Sequence, residues 1–299
     1  MITSRIKTLL LVVILFAVHA NGKAQKKSLA TAIDQVVRSI DAQTGVAILH
    51  IENRDTVSVH GKAHFPMQSV FKFPLAMAVL HAVEEGKFTL DQKIHVRKED
   101  LLANTWSPMA KKYPEGNVDV PLHELLMYTV SFSDNSTCDI LFRLMGGVKN
   151  VQKYIHDLGI KSIAIVATEE EMHREWSVQF TNWCEPVAMV QLLDILYKQK
   201  ALSKDNTELL LKWMIETPTG AHRIKELLPA GTIVAHKTGT GGPDDKGVIG
   251  AINDVGIVTL PNGKHIAIAV YISRTTDEKK AEEAIAKIAK VAYDYYTGQ

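Results

Sequence analysis

Two strand-like segments near the start of the chain and three near its end bracket a long stretch of helical spacing, and this order confines the fold. Gly45–Ile51 and Thr56–His60 flank the polar turn Glu52-Asn53-Arg54-Asp55, which predicts a hairpin. Strand character returns at Thr232–Lys237, Val248–Leu260 and His265–Ser273, with Pro261-Asn262-Gly263 as the last turn. Residues 28–42 carry the apolar stripe Leu29, Ile33, Val36, Val37 and Ile40, and Glu278–Tyr296 is rich in Ala, Lys and Glu; both predict helices. From Val70 to about Leu211 helix dominates, as in Phe71–Glu84, Leu122–Tyr128, Asp139–Met145 and Pro186–Tyr197, with Gly86, Gly116, Gly146-Gly147 and Gly159 as punctuation. The expected class is α/β in the α+β sense: an antiparallel five-stranded sheet flanked by helices, with an inserted all-helical lobe. Residues 25–68 plus 215–299 would form the sheet domain and 69–214 the helical one. A cleft between two such lobes is the usual place for a ligand.

Arg5 and Lys7 precede the apolar run Leu9–Val18, and small residues follow at Ala20, Gly22 and Ala24. That is the pattern of an export leader over residues 1–24, cleaved after Ala20 or, preferably, Ala24. The run falls short of the roughly 20 apolar residues that span a bilayer. Loss of Arg5, Lys7 and Lys23 shifts the net charge from the +1 of the full chain to −2. A near-neutral product carries no electrostatic footprint for nucleic acid or for stable membrane association, so a small-molecule partner is expected; the leader predicts a secreted, periplasmic location, and a monomer is the default. Cys138 and Cys184 are the two cysteines, and spacing leaves open whether they pair. His60 and His64 lack the intervening glutamate of a zinc-protease helix, and no metal site is expected.

Three short patterns carry chemistry. In Ser69-Val70-Phe71-Lys72, a helix starting at the serine would set the lysine amine beside the hydroxyl, because residues three apart share a face. Such a serine needs a base, being protonated at neutral pH. Ser133-Asp134-Asn135 follows the helical run Leu122–Val130 and also suits a helix N-cap. Lys237-Thr238-Gly239 ends the strand Ile233–His236. Each alone has a structural explanation; their order and local settings together do not.

With these three patterns the sequence resembles the class A serine β-lactamases over essentially its whole mature length. Trp106-Ser107-Pro108 and Leu228-Pro229-Ala230-Gly231 fall where that family has an aromatic wall and the approach to its Lys-Thr-Gly strand. The resemblance implies hydrolysis of β-lactam antibiotics through an acyl-serine, hence antibiotic resistance, with no cofactor beyond a catalytic water. It implies Ser69 as nucleophile, Lys72 as its activator and Ser133 as proton relay to the leaving nitrogen. Lys237 would keep the field positive, and the N–H groups of Ser69 and Thr240 would form the oxyanion hole. Trp106, Asn135, Thr238, Thr240 and Arg223 would bind substrate.

Deacylation in the family uses a glutamate on an Ω-loop, and Thr168-Glu169-Glu170-Glu171-Met172-His173 offers three. Glu169 is the choice, because His173 then takes the place of the usual asparagine and joins the substrate-binding set. The Met-His pair looks like a subgroup of extended-spectrum cephalosporinases, which predicts activity on oxyimino-cephalosporins. The ion pair that commonly pins the Ω-loop is replaced by Ala167 and Asn182, so packing of Trp176 and Trp183 is expected to hold the loop. A penicillin-binding peptidase shares the three patterns, but Glu169 and the compact length argue for the hydrolase.

Overall fold

A computed structural model describes residues 29–298. The expected leader, with its cleavage after Ala20 or Ala24, lies outside them. Helix α1 (29–38) leads into strands β1 (Gln43–His50) and β2 (Thr56–Val59), then a short β3 (Phe65–Pro66) and helix α2 (Lys72–Glu84). Strands β4 (Lys93–Val96) and β5 (Val118–Pro121) flank helix α3 (Pro108–Lys112). Helices α4 (Leu122–Val130), α5 (Asn135–Leu144) and α6 (Val148–Asp157) follow, then β6 (Ile163–Ala164), α7 (Glu169–Arg174) and β7 (Trp183–Cys184). Helices α8 (Pro186–Tyr197) and α9 (Lys204–Ile215) return the chain to β8 (Val234–Thr240), β9 (Ile252–Thr259), β10 (His265–Ser273) and helix α10 (Glu278–Thr297).

Five strands form one antiparallel sheet in the order β2-β1-β10-β9-β8. Alternation along each strand sends side chains to opposite faces. Val46, Ile48, Ile268 and Val270 join a core under α1 and α10, whereas Ala47, Leu49, Ala267 and Ala269 face the helical lobe. Helix α8 crosses that second face on β1, β9 and β10, where the alanines leave room for it. Helix α2 buries 10 of its 13 residues, the mark of a helix enclosed on all sides at the centre of a lobe. Pro74 stands in its first turn, where a missing N–H costs nothing.

The middle of the chain is less purely helical than its spacing predicts. The β4–β5 hairpin and the ladder β3-β7-β6 interrupt it, with strands of four and two residues that are too short to show a period. The expected strand Val248–Leu260 begins only at Ile252, because Ile249 makes isolated bridges to Pro243 and Thr275 instead. Strand β8 runs on through Lys237-Thr238-Gly239 to Thr240. Helix α5 starts before Asp139, at Asn135, because the Asp134 carboxylate accepts the Thr137 N–H at 2.9 Å and caps it.

Candidate active site

The site grows from the turn between β3 and α2. Gln68–Phe71 is a 3-10 turn running directly into α2, so a tighter turn than the expected helix start carries Ser69. Lys72 Nζ nevertheless lies 3.0 Å from Ser69 Oγ. Gln68 has φ 47, a strained backbone for a residue other than glycine. Its surroundings hold it: Met67 N–H donates to Asn182 O at 2.9 Å, and Gln68 Nε2 donates to Gln179 Oε1 at 2.7 Å. Lys72 is fully buried, and a buried ammonium must be paired and hydrogen-bonded. Its amine donates to Ser133 O at 2.8 Å and Asn135 Oδ1 at 2.5 Å, and forms an ion pair with Glu169 Oε1 at 2.8 Å.

Ser133-Asp134-Asn135 divides its labour. Asp134 faces inward, accepting from Ser107 Oγ at 2.9 Å and Met109 N–H at 2.7 Å, besides capping α5. It thereby fixes the start of α3 and the neighbouring Trp106, whose Nε1 donates to Phe132 O at 2.7 Å. Asn135 and Ser133 face the cleft. Ser133, at φ 57, accepts a hydrogen bond from Lys237 Nζ at 2.8 Å.

Strand β8 supplies the opposite wall. Gly239 is required by proximity: a Cβ there would lie 2.3 Å from Met67 O, so only glycine lets β8 reach the turn that carries Ser69. Burial, and then the Lys72 ammonium, hold the Lys237 amine well below the usual lysine range. Thr238 Oγ1 and Thr219 Oγ1 are 2.9 Å apart. Arg223 is buried, not a surface cation; it donates to Thr240 Oγ1 at 2.8 Å and pairs with Glu282 at 3.0 Å. Ser69, Ser133, Asn135, Thr238, Thr240 and Arg223 line one cleft of about 340 Å³, with Trp106 and Thr219 at its walls.

Of the three adjacent glutamates only Glu169 is buried against Lys72. Glu171 closes a capping box with Thr168, and Glu170 pairs with Arg174 on the outside. His173 lies on the exposed side of α7, outside the residues that line the cleft. A serine, two buried lysines and a buried glutamate on four separate elements are the parts of an acyl-serine hydrolase.

Residues 27–296 match the beta-lactamase enzyme family. The chain belongs to it. It is 42% identical over 295 residues to Beta-lactamase VEB-1 of Pseudomonas aeruginosa, covering 97% of this chain and 98% of that one. It is also 42% identical over 273 residues to Extended-spectrum beta-lactamase PER-1 of the same organism, covering 91% and 88%. The crystal structure of the TLA-1 extended-spectrum β-lactamase superposes with a TM-score of 0.89 at 51% identity, covering 91% and 99%. The protein is therefore a class A serine β-lactamase, an enzyme that hydrolyses β-lactams.

The Ω-loop of this β-lactamase is held by a neutral clamp more than by tryptophan packing. Asn182, fully buried, accepts the N–H groups of Val166 at 2.7 Å and Ala167 at 2.9 Å, and its amide donates to Ala167 O at 2.8 Å. Trp176 contributes one tie, from Nε1 to Gly242 O at 2.9 Å, while Trp183 stacks on His64 instead. His60 Nδ1 is 2.8 Å from Thr44 O, Cys138 and Cys184 are free and buried, and no metal-binding group occurs among the described residues.

Asp139 completes the support of the β-lactamase loop, and no local sequence signal marks it. Its carboxylate accepts the N–H groups of Glu169 at 2.8 Å and Glu170 at 2.9 Å. Burial above all, with the Glu169 charge adding to it, pushes the Asp139 carboxyl up to about 7, although the two N–H groups pull it down. An acid whose pKa is raised on folding is destabilised by ionisation. The cost is absent below the ordinary value of 3.8, grows towards about 7 and is constant above. Thermal melts should therefore show the parent losing stability relative to Asp139→Asn across that window only. Parallel curves from acid to neutral pH would remove the effect.

Proposed function

We propose that this enzyme hydrolyses oxyimino-cephalosporins as well as simpler β-lactams, with Ser69, Lys72, Ser133, Glu169 and Lys237 as its catalytic groups. The observation that carries the reading is the buried Lys72 amine, 3.0 Å from Ser69 Oγ and 2.8 Å from Glu169. Glu169 takes the serine proton by way of Lys72, which passes one of its protons to the carboxylate and receives that of Ser69 as Ser69 Oγ bonds to the lactam carbonyl carbon. The developing oxyanion is met by the N–H groups of Ser69 and Thr240, worth roughly 3 to 4 kcal/mol per donor. Ser133 accepts from Lys237, so its own proton is free to pass to the ring nitrogen as the C–N bond breaks, and the proton held by Lys72 and Glu169 then restores the Ser133 hydroxyl and leaves Glu169 ionised. Glu169 then takes a proton from water as the water oxygen attacks the ester, and gives it to Ser69 Oγ as the opened product leaves.

Thr238, Lys237 and Arg223 hold the substrate carboxylate, Asn135 orients Lys72 and the side-chain amide, and Trp106 walls the cleft. His173 flanks the Ω-loop at its exposed edge. Room for a bulky oxyimino group is supported by Gly242, where an added Cβ would meet open space. The basic and apolar pattern of residues 1–24 supports export to the periplasm, where the enzyme would act as a monomer. Steady-state kinetics on benzylpenicillin and an oxyimino-cephalosporin test the substrate reading. We expect kcat/KM values within about tenfold of each other, a difference of about 1.4 kcal/mol in transition-state binding. Narrow penicillin preference with no oxyimino turnover would overturn it.

A further inference from the structure

The pair His236–Asp254 takes no part in the reaction described above. His236 stands on β8 beside Lys237, and its Nδ1 is 2.9 Å from both carboxylate oxygens of Asp254 on β9. Both side chains are fully buried. The other ring nitrogen, Nε2, is buried with no partner. A proton on Nδ1 fits this arrangement, since it is donated to Asp254 and leaves at Nε2 a bare lone pair, not a stranded N–H. An apolar pair would fill the same space without burying a charge. What the pair touches must account for it.

It touches the cleft. Ile224 N–H donates to Asp254 Oδ2 at 3.2 Å. Gly220, at φ +74, sits so close that a Cβ would lie 2.4 Å from Thr238 Cγ2 and 3.1 Å from His236 Cε1. The turn held by these anchors carries Thr219, Gly220 and Arg223 into the cleft wall. Asp254 stands opposite Thr238 in the β8–β9 register, on the other face of the sheet from the Lys237 side chain; its charge and that of Glu169 act to keep the Lys237 amine charged, against burial and Lys72. Cys138 on α5 also acts on Lys237, while Lys225 feels Asp254 and Arg223 lies against the backbone of Gly239 and Asn253.

We propose that His236 and Asp254 are a positioning pair for the β-lactam carboxylate, fixing the 219–224 turn against β8 and setting a negative charge behind Lys237. Thr219, Arg223, Thr238 and Lys237 then meet the carboxylate as one rigid surface. The inference rests on the reading that these residues hold that carboxylate.

Asp254→Asn keeps the volume and an acceptor for Ile224 but removes the charge. KM for a cephalosporin should rise about fivefold to tenfold with kcat within about twofold, the sign of weakened binding common to ground and transition states. The alkaline limb of kcat/KM should move to lower pH by about half a unit, because a buried ammonium deprotonates more easily once a nearby anion is lost. His236→Gln removes the ring beneath Gly220 and keeps the carboxylate, so KM should rise while the limb stays. Unchanged KM and an unchanged limb in Asp254→Asn would overturn the proposal. So would a lower Tm with parental KM and pH profile, which would make the pair a core strut. If Asp254→Asn does not fold, His236→Gln decides, and parental KM there overturns it. The parent enzyme on a cephalosporin C4 methyl ester tests the underlying reading separately. If ester and acid are taken equally, the carboxylate assignment fails and the pair loses its substrate role.

Discussion

Replacing Glu169 by glutamine should convert the enzyme into a trap: mixed with a chromogenic cephalosporin, it gains the mass of one opened β-lactam and stays modified. Removal of a general base costs about 10²- to 10⁴-fold, and here that loss falls on deacylation, so the acyl-serine accumulates. Ser69→Ala should show no adduct and lose turnover about a millionfold, the scale seen when a hydrolase loses its nucleophile. The Glu169 variant carries a second result. Its carboxylate is also the ion-pair partner of Lys72, 2.8 Å away. A fast burst before trapping would mean that Lys72 suffices as base for acylation, whereas a burst slowed in parallel would place the carboxylate in both halves. Full activity in Glu169→Gln would move the base to Glu170 or Glu171. Both lie on the exposed side of α7, so that outcome would require a rearranged Ω-loop.

The parts of this site that were legible in the sequence are those whose geometry is local. Ser69 and Lys72 are three residues apart on continuous turns, and Lys237-Thr238-Gly239 is one stretch of strand, so spacing alone placed their side chains. Glu169 also carries a local signal of its own. Thr168-Glu169-Glu170-Glu171 is a capping box, which starts α7 at Glu169 and sends Glu171 back to the cap. Strands β1, β8, β9 and β10 and the terminal helices were visible because each is long enough to show a period, and the four-residue β2 because the polar turn Glu52-Asn53-Arg54-Asp55 marks a hairpin. Strands of two to four residues, β3 to β7, were not. The supports of the loop were least visible of all. Asp139 meets Glu169 across 30 residues and Asn182 meets Ala167 across 15, contacts that exist only after α5 and β7 have packed. The sequence identified what Asn182 lacked, a charge, but not that a neutral amide could do the work of an ion pair.

Asn182→Ala should release the Ω-loop. The change strands the N–H groups of Val166 and Ala167 and the carbonyl of Ala167, all served by one buried amide. An unsatisfied buried backbone group costs about 1–3 kcal/mol, so the three together reach about 3–9 kcal/mol if the loop stays closed. Opening is the cheaper response, since it lets water satisfy all three. The expected readout is fast hydrogen exchange confined to the loop, with turnover lost because Glu169 no longer reaches Lys72; parental protection over residues 165–182 would show that the clamp is dispensable. Asn182→Asp separates hydrogen bonding from charge. A carboxylate still accepts both N–H groups but offers no donor to Ala167 O, and it buries an anion where the partners of Asn182 among the described residues are backbone groups and the Met172 sulfur. Burial raises such a carboxyl above its unfolded value, so ionisation opposes the closed loop and the damage grows as pH rises. Loop protection in Asn182→Asp should therefore recover in acid, which Asn182→Ala cannot do. Adding a cation opposite, by combining Ala167→Arg with Asn182→Asp, should restore protection at neutral pH. A shortfall there would mean that the enclosure around Asn182, and not the missing partner alone, is shaped for a neutral group.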